Sequence, residues 1–201
     1  MYKYVGMLSI LSGLLSIPAM GAPKRECVRD VSDKLVMTVS PRVVEAVPRR
    51  LLVDLALQNK SGTRVRVGRW LIFSECRVRD RSLHVKIEQG RELERLGRDV
   101  GYGAPEAYEI LEPGESLRIE GLDVTESYEF PSTSKRLWMW FDTVGWVDVD
   151  ADGPQCVDVR SKEVQFQFAS TLPRKPGIPP EGHVVQRAKR GREIVITCAG
   201  P

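Results

Sequence analysis

Apolar and polar side chains alternate with a period of two in short runs throughout this sequence. In residues 51–57 every odd position is leucine or valine, and the even positions between them are Leu52, Asp54 and Ala56. Residues 83–87 and 164–168 repeat the pattern. This period is that of a half-buried β-strand, in which successive side chains point to opposite faces. Runs spaced at roughly 8–12 residues with turn residues between them favour a sandwich or a barrel.

Turn-forming residues separate these runs. Pro113 presets φ for the second position of a turn at residues 112–115, and Gly114 suits the positive φ of the third position. Residues 59–62 form a polar turn between the run at 51–58 and a second alternating run at 64–67. We therefore predict a β-hairpin from these two runs.

Residues 137–141, Leu-Trp-Met-Trp-Phe, are apolar at every position. A strand of this kind is typical of the centre of a sheet that is covered on both faces. The predicted fold class is therefore all-β, an antiparallel immunoglobulin-like β-sandwich. The sandwich domain is expected to span residues 22–170, followed by a Pro/Gly-rich extended linker at 171–182 and a C-terminal hairpin at 183–201.

The N-terminus has the pattern of a secretory signal peptide. Lys3 supplies a positive charge, residues 7–18 are apolar and uncharged, and small residues follow up to a cleavage point before Ala22. The apolar run is about half of the ~20 residues that a spanning helix needs. We expect residues 1–21 to be removed, so that the protein is secreted or periplasmic and has no stable membrane insertion after cleavage.

The chain has four cysteines, Cys27, Cys76, Cys156 and Cys198. No two of them form a Cys-x-x-Cys pair, so a zinc knuckle or a thioredoxin-like site is not indicated. In an oxidising compartment four cysteines predict two disulfides, with three possible connectivities. We favour Cys27 with Cys198, which joins the termini, and Cys76 with Cys156.

Charge and histidine content argue against two classes of function. The formal net charge is only +3 and the basic residues are mixed with acids, so no nucleic-acid groove is indicated. The two histidines, His84 and His183, have no nearby nucleophile and acid in a recognisable motif, and no Gly-rich phosphate loop occurs. We therefore predict that the protein is not an enzyme, with His84 on the solvent face of its strand.

Asp148, Asp150 and Asp152, with Gly153, match the first half of a calcium-binding loop. The second half does not match, because Pro154 follows the glycine and position 12 is Val159, where a glutamate is expected. The alternative is an acidic, solvated turn. No cofactor is predicted, and Ca²⁺ at these aspartates is kept as an alternative.

Trp138 and Trp140 lie on the same side of the run at 137–141. One interpretation is an exposed aromatic platform for a carbohydrate or a protein partner. The other is an apolar strand face that a loop or the linker covers.

A longer series of motifs extends from Asp33 to about Trp146. In chain order the series is the strand at 51–57 with Asn59-Lys60-Ser61, Val85-Lys86-Ile87 before Gly90, Leu96-Gly97, residues 108–116, Leu122-Asp123-Val124, and Ser127-Tyr128-Glu129-Phe130. This order resembles the N-terminal, propeptide-type β-sandwich domain of secreted deuterolysin-like and lysine-specific metalloendopeptidases. The sequence departs from that family at 70–76, which contains the extra Cys76, and His-Glu-x-x-His is absent.

The resemblance implies the sandwich module without the protease domain. Such a module would be a propeptide-like modulator or inhibitor of a secreted metalloprotease, with a protein as its partner. The predicted contact loop is 96–111, because glycines permit close backbone approach and tyrosines suit interfaces. Its contact residues are Gly97, Gly101, Tyr102, Gly103 and Tyr108. The alternatives are a structural or adhesive module of the cell envelope and a calcium- or carbohydrate-binding module.

Overall fold

The computed structural model describes residues 29–30, 34–68, 76, 82–88, 90–96, 108–149, 154–171 and 183–199. The predicted signal peptide and nearly all of the predicted linker lie outside these residues. The described part of the chain contains twelve β-strands and no α-helix. The strands are β1 Arg29–Asp30, β2 Leu35–Val44, β3 Arg50–Asn59, β4 Val65–Gly68, β5 Leu83–Ile87, β6 Tyr108–Leu111, β7 Ser116–Asp123, β8 Lys135–Val149, β9 Pro154–Arg160, β10 Val164–Phe168, β11 His183–Arg190 and β12 Glu193–Ala199.

The strands form two sheets that pack as a sandwich. One sheet has five strands in the order β11-β12-β7-β3-β2. The other has seven strands, with the path β1-β9-β8-β4-β6, and β5 and β10 both pair with β8. The long strand β8 pairs with β5 and β10 through its first half and with β4 and β9 through its second half. The all-β sandwich predicted from the sequence is confirmed.

Alternation in the sequence corresponds to the two faces of each sheet. Leu51, Val53, Leu55 and Leu57 of β3 are buried, and the side chains between them are half-buried. Leu137, Met139 and Phe141 of β8 each have 0% exposure, and they belong to the same apolar core. Burying side chains of this size removes apolar surface from water, at roughly 1.5–3 kcal/mol for each residue. This core holds the two sheets together.

The predicted hairpin between residues 51–58 and 64–67 is wrong. Strand β4 does not pair with β3, because it lies in the seven-stranded sheet between β6 and β8. Residues 60–64 therefore cross from one sheet to the other. Val65 and Val67 are both buried, so the crossing places the alternating side chains of β4 in the core from the opposite side.

The predicted C-terminal hairpin is present, and it is part of the sandwich. Strands β11 and β12 are antiparallel, with a bulge between Val184 and Gln186. Strand β12 pairs parallel to β7, from Glu193 opposite Ser116 to Thr197 opposite Glu120. Strand β1 is also parallel to its neighbour β9, so the sheets are mainly but not wholly antiparallel.

One disulfide joins Cys76 to Cys198, with 5.5 Å between the two Cα atoms. The favoured pairing of Cys27 with Cys198 and of Cys76 with Cys156 is therefore wrong. The reason is the position of β12: it is an inner strand of the five-stranded sheet, and Cys198 is buried there with Cys76. Among the residues that the structure describes, no helix is long and apolar enough to cross a membrane.

Candidate partner-binding edge

The predicted contact loop leads into an edge of the sandwich. Gly97, Gly101, Tyr102 and Gly103 lie outside the described residues, and Tyr108 is the first residue of β6. Strand β6 ends the seven-stranded sheet, where it pairs only with β4 among the described strands. One of the predicted contact residues, Tyr108, therefore lies on a sheet edge.

Strand β11 is the corresponding edge of the five-stranded sheet. Within the described strands it pairs only with β12. The two edges lie at the same end of the sandwich, because Arg187 of β11 forms an ion pair with Glu109 of β6. We call β6 and β11 together the β6–β11 edge. An edge strand presents backbone N–H and C=O groups that no neighbouring strand uses, so it can accept a further strand.

Exposed aliphatic side chains are concentrated on the β6–β11 edge. Ile110 on β6 is 47% exposed, and Val184 and Val185 on β11 are 43% and 60% exposed. Val47 is the other large apolar residue with high exposure in the described part of the chain. Single exposed apolar residues are ordinary on protein surfaces. Three of them on two adjoining edge strands are typical of a contact surface.

Two buried carboxylates fix β11 to the rest of the sandwich. Lys189 Nζ lies 2.6 Å from Glu115 Oε1, and the side chains of Glu115 and Glu109 are only 10% and 5% exposed. The hydrogen bond from Lys189, together with one from the backbone N–H of Glu112, holds the pKa of Glu115 below its usual value. The Arg187–Glu109 pair joins β11 to β6 of the other sheet, and the Lys189–Glu115 pair joins β11 to the residue that precedes β7.

The calcium alternative falls mainly outside the described residues. Asp150 and Asp152 are outside them, and Asp148 is a backbone position of β8 that is opposite Pro154 of β9. The segment therefore connects two antiparallel strands. Elsewhere in the described chain, no group of three or more histidine, cysteine or acidic side chains is placed to hold a metal ion.

The tryptophan face of β8 lies opposite the core. Trp138 and Trp140 are half-buried, and the His84 ring stacks on the Trp140 ring at 4.9 Å with 9° between the planes. His84 is therefore on the outer face, as predicted. Lys86 Nζ lies 5.3 Å from the centre of the Trp140 ring and 2.7 Å from Glu163 Oε1. Side chains of the same protein thus already contact the ring that was considered as a platform.

Residues of the motif series meet in the fold as structural contacts. Asn59 accepts a hydrogen bond from Gly114 N through its backbone carbonyl and donates its own N–H to Glu115 O. Tyr128 is buried, donates its hydroxyl to the carbonyl of Leu83, and lies 5.7 Å from the Phe130 ring. Burial raises the pKa of Tyr128. These residues join elements of the sandwich, and the described contacts assign them no chemical role.

Sequence reasoning missed β11 as part of the site. The sequence did indicate a C-terminal hairpin, with Val184 and Val185 before the basic segment 189–192. The sequence does not show that Arg187 and Lys189 form ion pairs with Glu109 and Glu115, because those acids lie more than seventy residues earlier in the chain. The edge position of β11 follows from its pairing, and local sequence does not encode pairing.

Comparison with known proteins identifies no family. No family model and no curated protein sequence matches this chain. Among solved structures, a Bordetella pertussis protein described as ApaA is 16% identical over 68% of this chain and 94% of that chain, with a TM-score of 0.36. A second structure, from the Northeast Structural Genomics Consortium, is 10% identical over 69% of this chain and 88% of that chain, with a TM-score of 0.36. Similarity at this level carries no conclusion about function.

Proposed function

We propose that this protein is an exported, non-catalytic protein-binding module that contacts its partner through the β6–β11 edge. The observation that carries the proposal is the concentration of exposed aliphatic side chains, Ile110, Val184 and Val185, on the two edge strands at one end of the sandwich. Export is supported by the signal-like residues 1–21 and by the disulfide, since disulfides persist in oxidising compartments.

Within this class, the proposed role is to modulate a secreted metalloprotease in the manner of a propeptide. The support is the resemblance of the motif series to propeptide-type sandwich domains. The β6–β11 edge also suits this role, because an edge strand can lie along an active-site cleft and bind through backbone hydrogen bonds.

The test is a pull-down from culture supernatant, followed by protease assays with and without the purified protein. We expect a metalloprotease to be retained and its activity on a peptide substrate to change. A matched control uses the same protein with Ile110→Asp and Val185→Asp, two exposed positions on the edge. If no protease is retained or slowed, the modulator role is rejected. If no protein at all is retained specifically, the binding-module proposal fails.

A structural or adhesive module of the cell envelope is the second candidate, and the same open edges support it. Such a protein would be held in an assembly by strand pairing. Cross-linking in intact cells distinguishes the two candidates: recovery of the protein in large envelope complexes favours the structural module, and recovery with a soluble protease favours the modulator.

A further inference from the structure

The two halves of strand β11 carry side chains of different chemistry, and this difference indicates the chemistry of a partner strand. Its first half carries the exposed Val184 and Val185, and its second half carries Arg187, Lys189 and Arg190. No acidic residue lies between positions 183 and 192. The strand thus offers aliphatic surface at one end and positive charge at the other.

The positive charge is only partly neutralised within the protein. Arg187 and Lys189 form ion pairs with Glu109 and Glu115. Arg190 is exposed, and it forms no ion pair with another described residue. Its register partner across the hairpin is Glu193 of β12, and no ion pair joins these two described side chains. The basic end of β11 therefore retains the capacity to attract a carboxylate.

We propose that the free edge of β11 binds an extended peptide strand whose N-terminal half is acidic and whose C-terminal half is aliphatic. This inference rests on the proposed protein-binding function and names the chemistry of the partner. The order follows from geometry: antiparallel pairing is the commoner and slightly more stable arrangement. An antiparallel strand places its first residues beside Arg190 and its last residues beside Val184 and Val185.

A second copy of the same strand is a poor occupant. Antiparallel self-pairing centred on Arg187 places that arginine directly opposite its own copy. A register shifted by one residue places Lys189 and Arg190 opposite Val184 and His183, which carry no carboxylate. Like charges directly opposite each other destabilise a strand pair. The bulge at Val184–Gln186 also limits indiscriminate edge pairing. Charge complementarity therefore favours a different, acidic partner.

The test measures binding of labelled eight-residue peptides to the intact, disulfide-bonded protein by fluorescence anisotropy. One peptide has glutamate and aspartate in its first half and valine and isoleucine in its second half, and another has the same composition in reverse order. We expect the first peptide to bind at least threefold more tightly. We also expect binding of the first peptide to slow amide exchange in β11, because carbonyls of the added strand accept hydrogen bonds from the outward N–H groups.

Two variants locate the contact. Val185→Asp should weaken binding of the first peptide about tenfold, because it removes the burial of a valine side chain. Arg190→Gln should weaken it by about two- to fivefold and reduce its dependence on salt. The matched controls are Val47→Asp, another exposed valine, and Arg42→Gln on β2, the opposite edge of the same sheet. Both should leave binding unchanged.

Several outcomes would overturn the inference: no binding of the first peptide at about 1 mM, equal binding of the two peptides, equal losses in the control variants, or no added protection in β11. Failure of the proposed function looks different, because no protein is then retained specifically in the pull-down. If the natural partner is retained and Val185→Asp retains it equally, the β11 assignment is wrong while the binding function stands.

Discussion

Asn59 is the best example of a single residue that specifies this fold. It is completely buried, and its side-chain amide donates hydrogen bonds to the carbonyls of Thr63 and Leu111, at 2.8 and 2.9 Å. Its Oδ1 accepts from both the N–H and the hydroxyl of Ser61. The Asn-Lys-Ser sequence, which matches a glycosylation sequon, thus acts as turn chemistry that ties the end of β3 to the end of β6.

Replacing Asn59 with alanine should destabilise the protein by about 2–4 kcal/mol, because buried carbonyls then lose their donors. The free energy of unfolding in urea measures the effect. Gln167→Ala is the matched control: this amide is exposed on β10, and its loss should change stability by less than about 0.5 kcal/mol. Equal stability of the Asn59→Ala variant and the parent would show that the loop does not depend on this side chain.

Glu115 gives the fold a dependence on acid. Its pKa is lowered from a usual value of 4.5 in the folded protein, first by the hydrogen bond from Lys189. A lowered folded-state pKa contributes stability that is fully present above pH 4.5 and is lost as the pH falls through the folded value. We expect the parent to lose more stability between pH 6 and pH 3 than Glu115→Gln does.

The measurement for Glu115 is urea unfolding at a series of pH values. The control is Glu112→Gln, because Glu112 forms an exposed pair with Arg64, and exposed pairs contribute little. This control should keep the parent's dependence on pH. A Glu115→Gln profile parallel to that of the parent would contradict the assignment.

At the scale of strands, local pattern predicted which residues form strands but not which strands pair. Arg50–Asn59 and Val164–Phe168 contain runs that were recognised from their alternation. The partner of β4 was predicted wrongly because a polar turn of a few residues is compatible with either a hairpin or a crossing between sheets. The crossing depends on Asn59 and on partners in β6 and β8, which are distant in sequence.

The edge strands show why the site was only partly predictable. Tyr108 was predicted as a contact residue, and it does begin an edge strand. Nothing local indicates that β11 lies beside it, because the contact is made by Arg187 and Glu109 across the two sheets. Predicting a site at the edges of two sheets requires knowledge of the complete strand order, and the packing of the whole core sets that order.

At the scale of the whole molecule, the Cys76–Cys198 disulfide holds β12 in a sheet whose strands β2, β3 and β7 come from much earlier in the chain. The two cysteines are 122 residues apart. Cross-linking a loop of this length restricts the unfolded chain, and the chain-entropy model gives about 5 kcal/mol as its contribution. The disulfide therefore stabilises the insertion of β12 between β7 and β11, and with it the edge that β11 forms.

The remaining two cysteines should form the second disulfide. Cys27 lies two residues before Arg29, and Cys156 lies one residue before Val157, which is the register partner of Arg29 in the parallel pair of β1 and β9. Two residues span at most about 7 Å of chain. A disulfide needs Cα atoms roughly 4.4–6.8 Å apart, so Cys27 is within reach of Cys156. The pairing also follows by elimination, because Cys76 and Cys198 are bonded to each other.

Peptide mapping of the exported protein, digested with trypsin without reduction, tests this pairing directly. Each cysteine falls in its own tryptic fragment, at residues 26–29, 70–77, 137–160 and 193–201. We expect fragment 26–29 linked to 137–160 and fragment 70–77 linked to 193–201, with each linked pair disappearing on reduction. A link between 26–29 and 193–201 would contradict the fold around β12, since Cys198 would then have a different partner. Free thiols at Cys27 and Cys156 would instead leave β12 in place and reject only the second disulfide, because the β1–β9 pairing alone would then hold the N-terminal segment.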